Sequence, residues 1–484
     1  MGEKPKLLIV TAVWGAWHIR AFQSLNLPTL MAPGNLPALA EVCDIHYIIY
    51  TARRDIAEIK EIPIVNALNR LMTVEFRTLK DKVLVDPIAA HHFAWQQATE
   101  QASQEGRMIL LMPPDVAWAD NSFRTVGQRL VEGYQAIFMT YLRAEENSFS
   151  AALQLEPRSS DNSVSVRPNR MVELCLNSLH PLMAAYLADA EYFPVHPEMM
   201  IWAVPGEGLL VRVLAREMFL FNPRGIKLNK MRLTESGSSQ DKICFLNDSD
   251  DLFAVSLAPV GKDAEWHLSP HRADPIEVGE WWLTYDSAVN DFIVSNHIRW
   301  HFAPITKTRW RSVEHRSDLF IRRAAGTREG IRFWQVARRL ELLTAASLIA
   351  IAAQTGALAR ALVGRGEAVA VLLPTERAFD DLSSEQLNTL FTKKGARQLS
   401  ELIRAHVISL SDKDILAEDP LLDWVKSEHA TLVAGRNEYC YSMAFDDGIL
   451  INGYRVLAGP PRSVGVHKVY AIDGLLLNNS RVSG

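Results

Sequence analysis

MILLMPPDVAWADNSF, residues Met108–Phe123, is the stretch whose reading decides the fold. Met108 to Met112 is a short apolar run, and Pro113 and Pro114 end it. Proline cannot donate to a strand ladder, so the run reads as a buried strand that stops there. Asp115 then stands at the strand's carboxyl end. Open α/β sheets bind ligands in the crevice outside those ends. A carboxylate at such a place can hold a hard cation, and the cation can neutralise phosphates. Pro-Pro-Asp serves equally well as a tight turn with Asp115 as a cap.

Outward from that strand, helix and strand patterns alternate. Lys6–Val13 (KLLIVTAV) is a continuous apolar run, as for a central parallel strand. Cys43–Thr51 predicts a second strand and Leu71–Phe76 a third. Asp86–Glu105 predicts a helix, started by Asp-Pro and stopped by Gly106. Phe123–Gly133 predicts another helix and Gln135–Leu142 another strand. This alternation predicts a doubly wound α/β domain. No GxGxxG follows the first strand and no GxxxxGK[ST] occurs, so the dinucleotide fingerprint and the P-loop are both missing.

Glu145–Pro168 is polar and predicts a loop or lid. Pro205-Gly206-Glu207-Gly208 leads into Leu209–Met218, which reads as a helix. Glu207 would then sit at a helix start, where the macrodipole favours its charged form. Asn247-Asp248-Ser249-Asp250-Asp251 reads as a solvated turn, or as acids that bind a cation or supply a base. Trp281, Trp282, Trp300 and Trp310 crowd Glu277–Arg311, and packing is their expected use. His297 and His301 are spaced to share a helix face. Arg322–Gly330, charged and Gly-containing, is the expected linker.

Length and charge bound the rest. At 484 residues the chain needs more than one core. Its net charge of −5 gives no support for a nucleic-acid partner. Cys43, Cys175, Cys244 and Cys440 are far apart and lack zinc-ligand spacing, which suits a reducing compartment. Leu340–Val363 is the most apolar long stretch, but it carries Glu341, Gln354 and Arg360 and reads as a buried helix. No transmembrane segment and no signal peptide are expected. The expected location is the cytoplasm, including the inner face of a membrane.

Two resemblances extend this reading. With Thr11-Ala12 ending the first strand, Tyr50-Thr51 the second, and Asp115 after the internal one, residues 1–260 resemble a GT-A-type glycosyltransferase. That resemblance implies a nucleotide-sugar domain with Thr11, Ala12, Tyr50, Thr51, Pro114 and Asp115 around the donor. It implies Mn²⁺ or Mg²⁺ on Asp115, although Pro113-Pro114-Asp115 keeps only the last acid of the family's Asp-x-Asp motif. It also implies a base near the acceptor, matched by position to Glu207, with Asp250 and its neighbours Asp248 and Asp251 in reserve. The acceptor would be a glycan of the surface-polysaccharide type. The other reading is a non-catalytic glycan- or protein-binding scaffold on a degenerate transferase fold. An acidic hydrolase centred on Asp248–Asp251 is a third.

Residues 331–484 resemble a fasciclin domain, a smaller α+β fold. Val369–Phe379 (VAVLLPTERAF), Arg404-Ala405-His406-Val407 and Val466–Leu477 (VHKVYAIDGLLL) match its motifs in order. The resemblance implies an interaction module with a protein or glycan partner, and His406 reads as a buried structural histidine. Residues 261–330 are left as a Trp-rich helical extension and linker.

Overall fold

The computed structural model describes residues 4–214, 220–224, 226–229, 232–235, 243–260, 268–269, 271–285, 288–362, 369–392, 394–410, 420–421, 431–433, 439–445, 448–451, 454–457, 461–464 and 467–476. The chain divides into two compact units. The first comprises Met1–Ala273 and Tyr285–Ser317, the second Asp274–Thr284 and Asp318–Gly484. Tyr285–Ser317 thus groups with the first unit and Asp274–Thr284 with the second.

The first unit is built on a seven-stranded sheet. Its strands in chain order are β1 (Lys6–Ala12), β2 (Asp44–Ala52), β3 (Thr73–Leu79), β4 (Met108–Leu111), β5 (Ala136–Phe138), β6 (Leu220–Phe221) and β7 (Ile243–Phe245). Their spatial order is β7-β5-β6-β4-β1-β2-β3. β1 pairs in parallel with β2 and β4, β2 with β3, and β5 with β7, while β6 runs antiparallel to both β4 and β5. The chain winds outward from β1 to β3, then returns to place β4 on the other side of β1. That reversal makes the β1/β4 boundary the topological switch point.

The apolar runs explain why this sheet is central. Side chains of a strand alternate between faces. Leu8, Val10, Ile109 and Leu111 pack in one buried cluster, and Leu7, Ile9, Leu110 and Met112 in another. Both faces are covered, so the strands are apolar without alternation. Burying each such side chain contributes about 1.5–3 kcal/mol.

Helix α1 (Pro87–Glu105) covers β1 and β4. Its start and stop follow the expected signals. The Asp86 carboxylate accepts from the backbone of Ile88 at 2.9 Å and of Ala89 at 3.1 Å, and Gly106 closes the helix in the left-handed conformation. Glu145–Pro168 is not all loop. Glu145 caps a helix over Glu146–Gln154 by accepting from Asn147 and Ser148.

Two helical expectations fail. Gly208–Val213 is a strand, β8, paired on one side with Met199–Val204 and on the other with β9 (Ile298–His301). Met199–Val204 supplies ladder partners along all of β8, and β9 along Gly208–Val211. Glu207 thus lies in the turn of a β-hairpin and not at the start of its own helix. A Cβ on Gly208 would meet the Trp300 carbonyl oxygen at 2.0 Å, so the crossing with β9 requires glycine. His297 and His301 likewise share no helix, because His301 ends β9. Ala215–Met218, the distal part of the expected helix, lies outside the described residues.

Helix α2 (Lys307–Arg339) has its first residues in the first unit and the remainder in the second. The expected linker, Arg322–Gly330, is inside it. Arg322 and Arg323 are exposed, but Arg328 is buried on Glu329, and so is Arg332 just beyond the stretch, with its Nη1 2.6 Å from Glu329 Oε1. Arg328 also lies over the Trp282 ring at 4.5 Å. A Cβ on Gly330 would meet that of Ala353 at 2.5 Å, so helix packing explains this glycine.

In the second unit, β10 (Val369–Pro374) pairs in parallel with β11 (His467–Ile472) and antiparallel with Val407–Ser409. These strands carry the three fasciclin motifs, whose end residues Val466 and Leu477 lie outside the described residues. Helices Leu343–Thr355 and Ala396–Ala405 contribute to one cluster around Phe333, Phe379 and Val407. A void of about 50 Å³ among Leu348, Val371, Phe379 and Leu399 is lined by apolar atoms, and a sugar would find no partner there. No helix among the described residues is long and apolar enough to cross a membrane.

Candidate functional site

Two constellations in the first unit carry titratable groups at chain turns. The first lies at the switch point. β1 runs through Val13 into Trp14-Gly15-Ala16-Trp17-His18. Gly15, at a φ of 76°, breaks the strand and starts the helix Ala16–Ala21, and its N–H donates to Asp55 Oδ2 at 2.9 Å. A π-helical turn follows at Phe22–Asn26. From it Asn26, fully buried, donates to the carbonyls of Val116 at 2.7 Å and Pro113 at 3.3 Å. The loop after β4 is thereby pinned, and Asp115 is held at the carboxyl end of the strand.

Asp115 is half-buried. Loss of water pushes its carboxyl above the usual range, against the pull of its own backbone N–H, of His18, of Arg143 and of Ser256. Ser256 Oγ is 3.4 Å from its Oδ2. Aromatic rings crowd the same region. Trp14 lies 5.7 Å from His91 and 6.3 Å from His18, Trp17 4.7 Å from His18, and His91 5.1 Å from Trp95. His91 and Trp95 come from one face of α1. Burial depresses the His91 pKa to about 4 and also lowers that of His18, so both rings are neutral at pH 7.

The expected donor residues divide around this point. Register places Ala12 opposite Tyr50 across β1 and β2, so Thr11, Ala12, Tyr50 and Thr51 do share the correct sheet edge. Their side chains, however, are buried. Thr11 Oγ1 is 2.8 Å from the Tyr47 hydroxyl, and the Tyr50 hydroxyl accepts from Arg77 at 3.1 Å. Thr51 Oγ1 is buried with no hydrogen-bond partner. Pro114 is buried and shapes the turn. Of the six, Asp115 alone presents a reactive group. The residues missed were Trp14, His18, His91, Trp95 and Arg143. Two tryptophans and a histidine around a glycine, directly after a central strand, were the available signal.

The second constellation surrounds β9. Glu207 is buried and fully engaged. Its Oε2 accepts from the Thr306 backbone and from Trp310 Nε1, each at 2.8 Å, and its Oε1 pairs with Arg309 at 2.9 Å. The Thr306 backbone bond leads the interactions that hold its pKa below the usual carboxylate range. Glu207 thus caps α2, an element roughly 100 residues on in sequence, and is not free to take a proton. Next to it in the ladder, Gly208 pairs with His301. His301 Nε2 stands 3.1 Å from Asp248 Oδ1 and 3.6 Å from Asp250 Oδ2. Asp250 is exposed and Asp248 only partly so. Asp251, whose carboxyl burial pushes above its usual range, lies beside them. Trp300 and Trp310 are buried in the core here, as packing predicts.

In the second unit, His406 is fully enclosed. Its Nδ1 lies 2.9 Å from the Leu402 carbonyl, and Nε2 accepts from Leu476 N–H at 3.1 Å. Burial lowers its pKa to about 4, so it is a neutral structural side chain.

Comparison with known families agrees with that unit. Residues 344–477 match the fasciclin domain, and this part of the chain is a fasciclin domain. No curated protein matches the chain.

Proposed function

We propose that the first unit is a GT-A-type glycosyltransferase that moves a sugar from a nucleotide-sugar donor to a glycan acceptor, with the fasciclin domain as its interaction module for a protein or glycan partner. One observation carries this reading. A half-buried carboxylate with a raised pKa, Asp115, stands beside His18 and Arg143 at the switch point of a mainly parallel sheet, under an aromatic wall. A carboxyl group raised by burial at the carboxyl end of a sheet strand is a functional-site candidate on physical grounds. The sheet, parallel but for β6, is also of the kind that GT-A-type transferases have, which is support by fold analogy.

The chemistry assigns itself by side-chain type. Trp14 offers a flat face for the nucleobase. Arg143, and His18 as a neutral donor, meet the diphosphate charge. The bond from the anomeric carbon to the diphosphate oxygen breaks, and the acceptor hydroxyl oxygen bonds to that carbon. Asp115, a stronger base than an ordinary carboxylate, takes the hydroxyl proton. Glu207 does not serve as the base because its oxygens are occupied. Mn²⁺ or Mg²⁺ at Asp115 fits poorly. One carboxylate and the Ser256 hydroxyl are fewer oxygens than a hard cation takes, and Arg143 already brings positive charge.

The lone acid also favours a second reading, a scaffold that binds glycan or protein without turnover. Titration calorimetry with UDP-, GDP- and CMP-sugars separates the two. The transferase binds one of them, and Trp14→Ala weakens that binding. Absence of binding to all three removes the transferase and leaves the scaffold.

A further inference from the structure

We infer that Asp248, Asp250 and His301 form a divalent-cation site, separate from the Asp115 turn and independent of the transferase reading. One ligand atom from each lies within 4.8 Å of the other two. The turn is not a loose acidic loop. Ser249, fully buried, donates its N–H to the Arg299 carbonyl at 2.8 Å and accepts the His301 N–H on Oγ at 3.1 Å. Arg299 N–H donates to the Asn247 carbonyl at 2.9 Å. These bonds staple the acids to β9 at the point where His301 emerges.

The histidine points to what fills the space. Its ring is about nine-tenths buried, with Trp310 edge-on at 6.5 Å. Nδ1 faces the Ala303 carbonyl oxygen at 3.1 Å, and a carbonyl can only accept, so Nδ1 carries the hydrogen. That contact fixes the tautomer in the way metal-bound histidines are commonly held. Nε2 then faces two carboxylates, Asp248 at 3.1 Å and Asp250 at 3.6 Å. A neutral ring and the two carboxylates repel one another, and either a proton on Nε2 or a cation between them relieves that repulsion. The Arg299 guanidinium is turned to Glu314 at 2.7 Å.

Spacing agrees with an ion. Two atoms bound to one ion at roughly 2.0–2.2 Å stand roughly 2.8–3.6 Å apart. The Nε2 to carboxylate separations of 3.1 and 3.6 Å lie in that range, and the longer one is too long for a hydrogen bond. Two carboxylate oxygens and one imidazole nitrogen suit a borderline first-row ion such as Mn²⁺ or Zn²⁺ better than Ca²⁺. Exposed Asp250 gives the ion its way in and leaves positions for water.

The test uses full-length protein freed of metal with EDTA, titrated with MnCl₂ and, separately, ZnCl₂. The expected result is one ion per chain, with binding weakened about tenfold or more in Asp250→Asn and in Asp248→Asn, and unchanged in Asp115→Asn. Asp250 is exposed, so its variant keeps the fold. The metal-induced rise in melting temperature should vanish in that variant while the metal-free melt is unchanged. No binding of either ion, or binding insensitive to Asp250→Asn, overturns the inference and leaves an imidazolium–carboxylate pair. Loss of binding in Asp115→Asn alone also overturns it and moves the ion to the β4 turn. Nucleotide-sugar binding is read in a separate titration, so failure of either proposal does not touch the other.

Discussion

Asp115 and Glu207 are both acids that the sequence places at the end of an element, yet the structure treats them in opposite ways. Glu207 has both oxygens engaged by Thr306, Trp310 and Arg309, and its pKa is lowered. Asp115 has a long contact to Ser256, partial exposure, and a raised pKa. A satisfied carboxylate stabilises the fold. One with few partners keeps its capacity for chemistry. Partners, not sequence position, separate the two roles.

The sharpest way to break this contrast is to remove each charge in turn. Asp115→Asn should lower turnover by about 10²–10⁴-fold, the range for a lost general base, with the melting temperature unchanged. Equal turnover in wild type and variant would dismiss Asp115 from the chemistry. The buried histidines of the second unit extend the contrast to closed sites. His406 has a folded pKa of about 4 against 6.5 in the unfolded chain. Above pH 6.5 both states are neutral and stability is full. Between pH 6.5 and 4 only the unfolded chain takes up the proton, so stability falls as pH drops, by about 3 kcal/mol for this group. Urea titrations from pH 7.5 to 4 should show the fasciclin domain unfolding at progressively lower urea, and a flat midpoint would show that His406 is not held neutral.

Smaller effects follow. Trp14→Ala should weaken nucleotide-sugar affinity by about 10–100-fold, in line with roughly 1–3 kcal/mol for stacking on an aromatic ring. Glu207→Gln should do the reverse of Asp115→Asn. It keeps the shape but weakens the cap on α2, so the first unit melts several degrees lower while turnover per folded molecule is retained. A specific loss of turnover with an unchanged melt would restore Glu207 as a base.

Much of this fold was legible where local chemistry and tertiary context agree. The apolar runs at Lys6–Val13 and Met108–Met112 became adjacent central strands, and Asp86 and Gly106 became the caps of one helix. The three fasciclin motifs met on three neighbouring strands, with β10 between β11 and Val407–Ser409. Legibility failed where distant chain overrode local pattern. Leu209–Val213 reads as well for helix as for strand until two neighbouring strands offer it ladders. Arg322–Gly330 reads as a linker, but Trp282 and Glu329 bury its Arg328, and the stretch is the middle of a long helix. The site was half visible. Asp115 stood out by its prolines, whereas His91 and Trp95 are recruited by the face of α1, which only packing on the sheet defines.

The central claim is that the crevice outside β1 and β4 holds a nucleotide-sugar. A crystal of the protein soaked with UDP-glucose, or with whichever of the GDP- or CMP-sugars binds in titration, tests it most directly. The account predicts the nucleobase against Trp14, with the diphosphate within hydrogen-bonding reach of His18 or Arg143 and Asp115 facing the sugar. A nucleotide bound away from Asp115 and Trp14, or a crevice that stays empty at a saturating concentration, would contradict it.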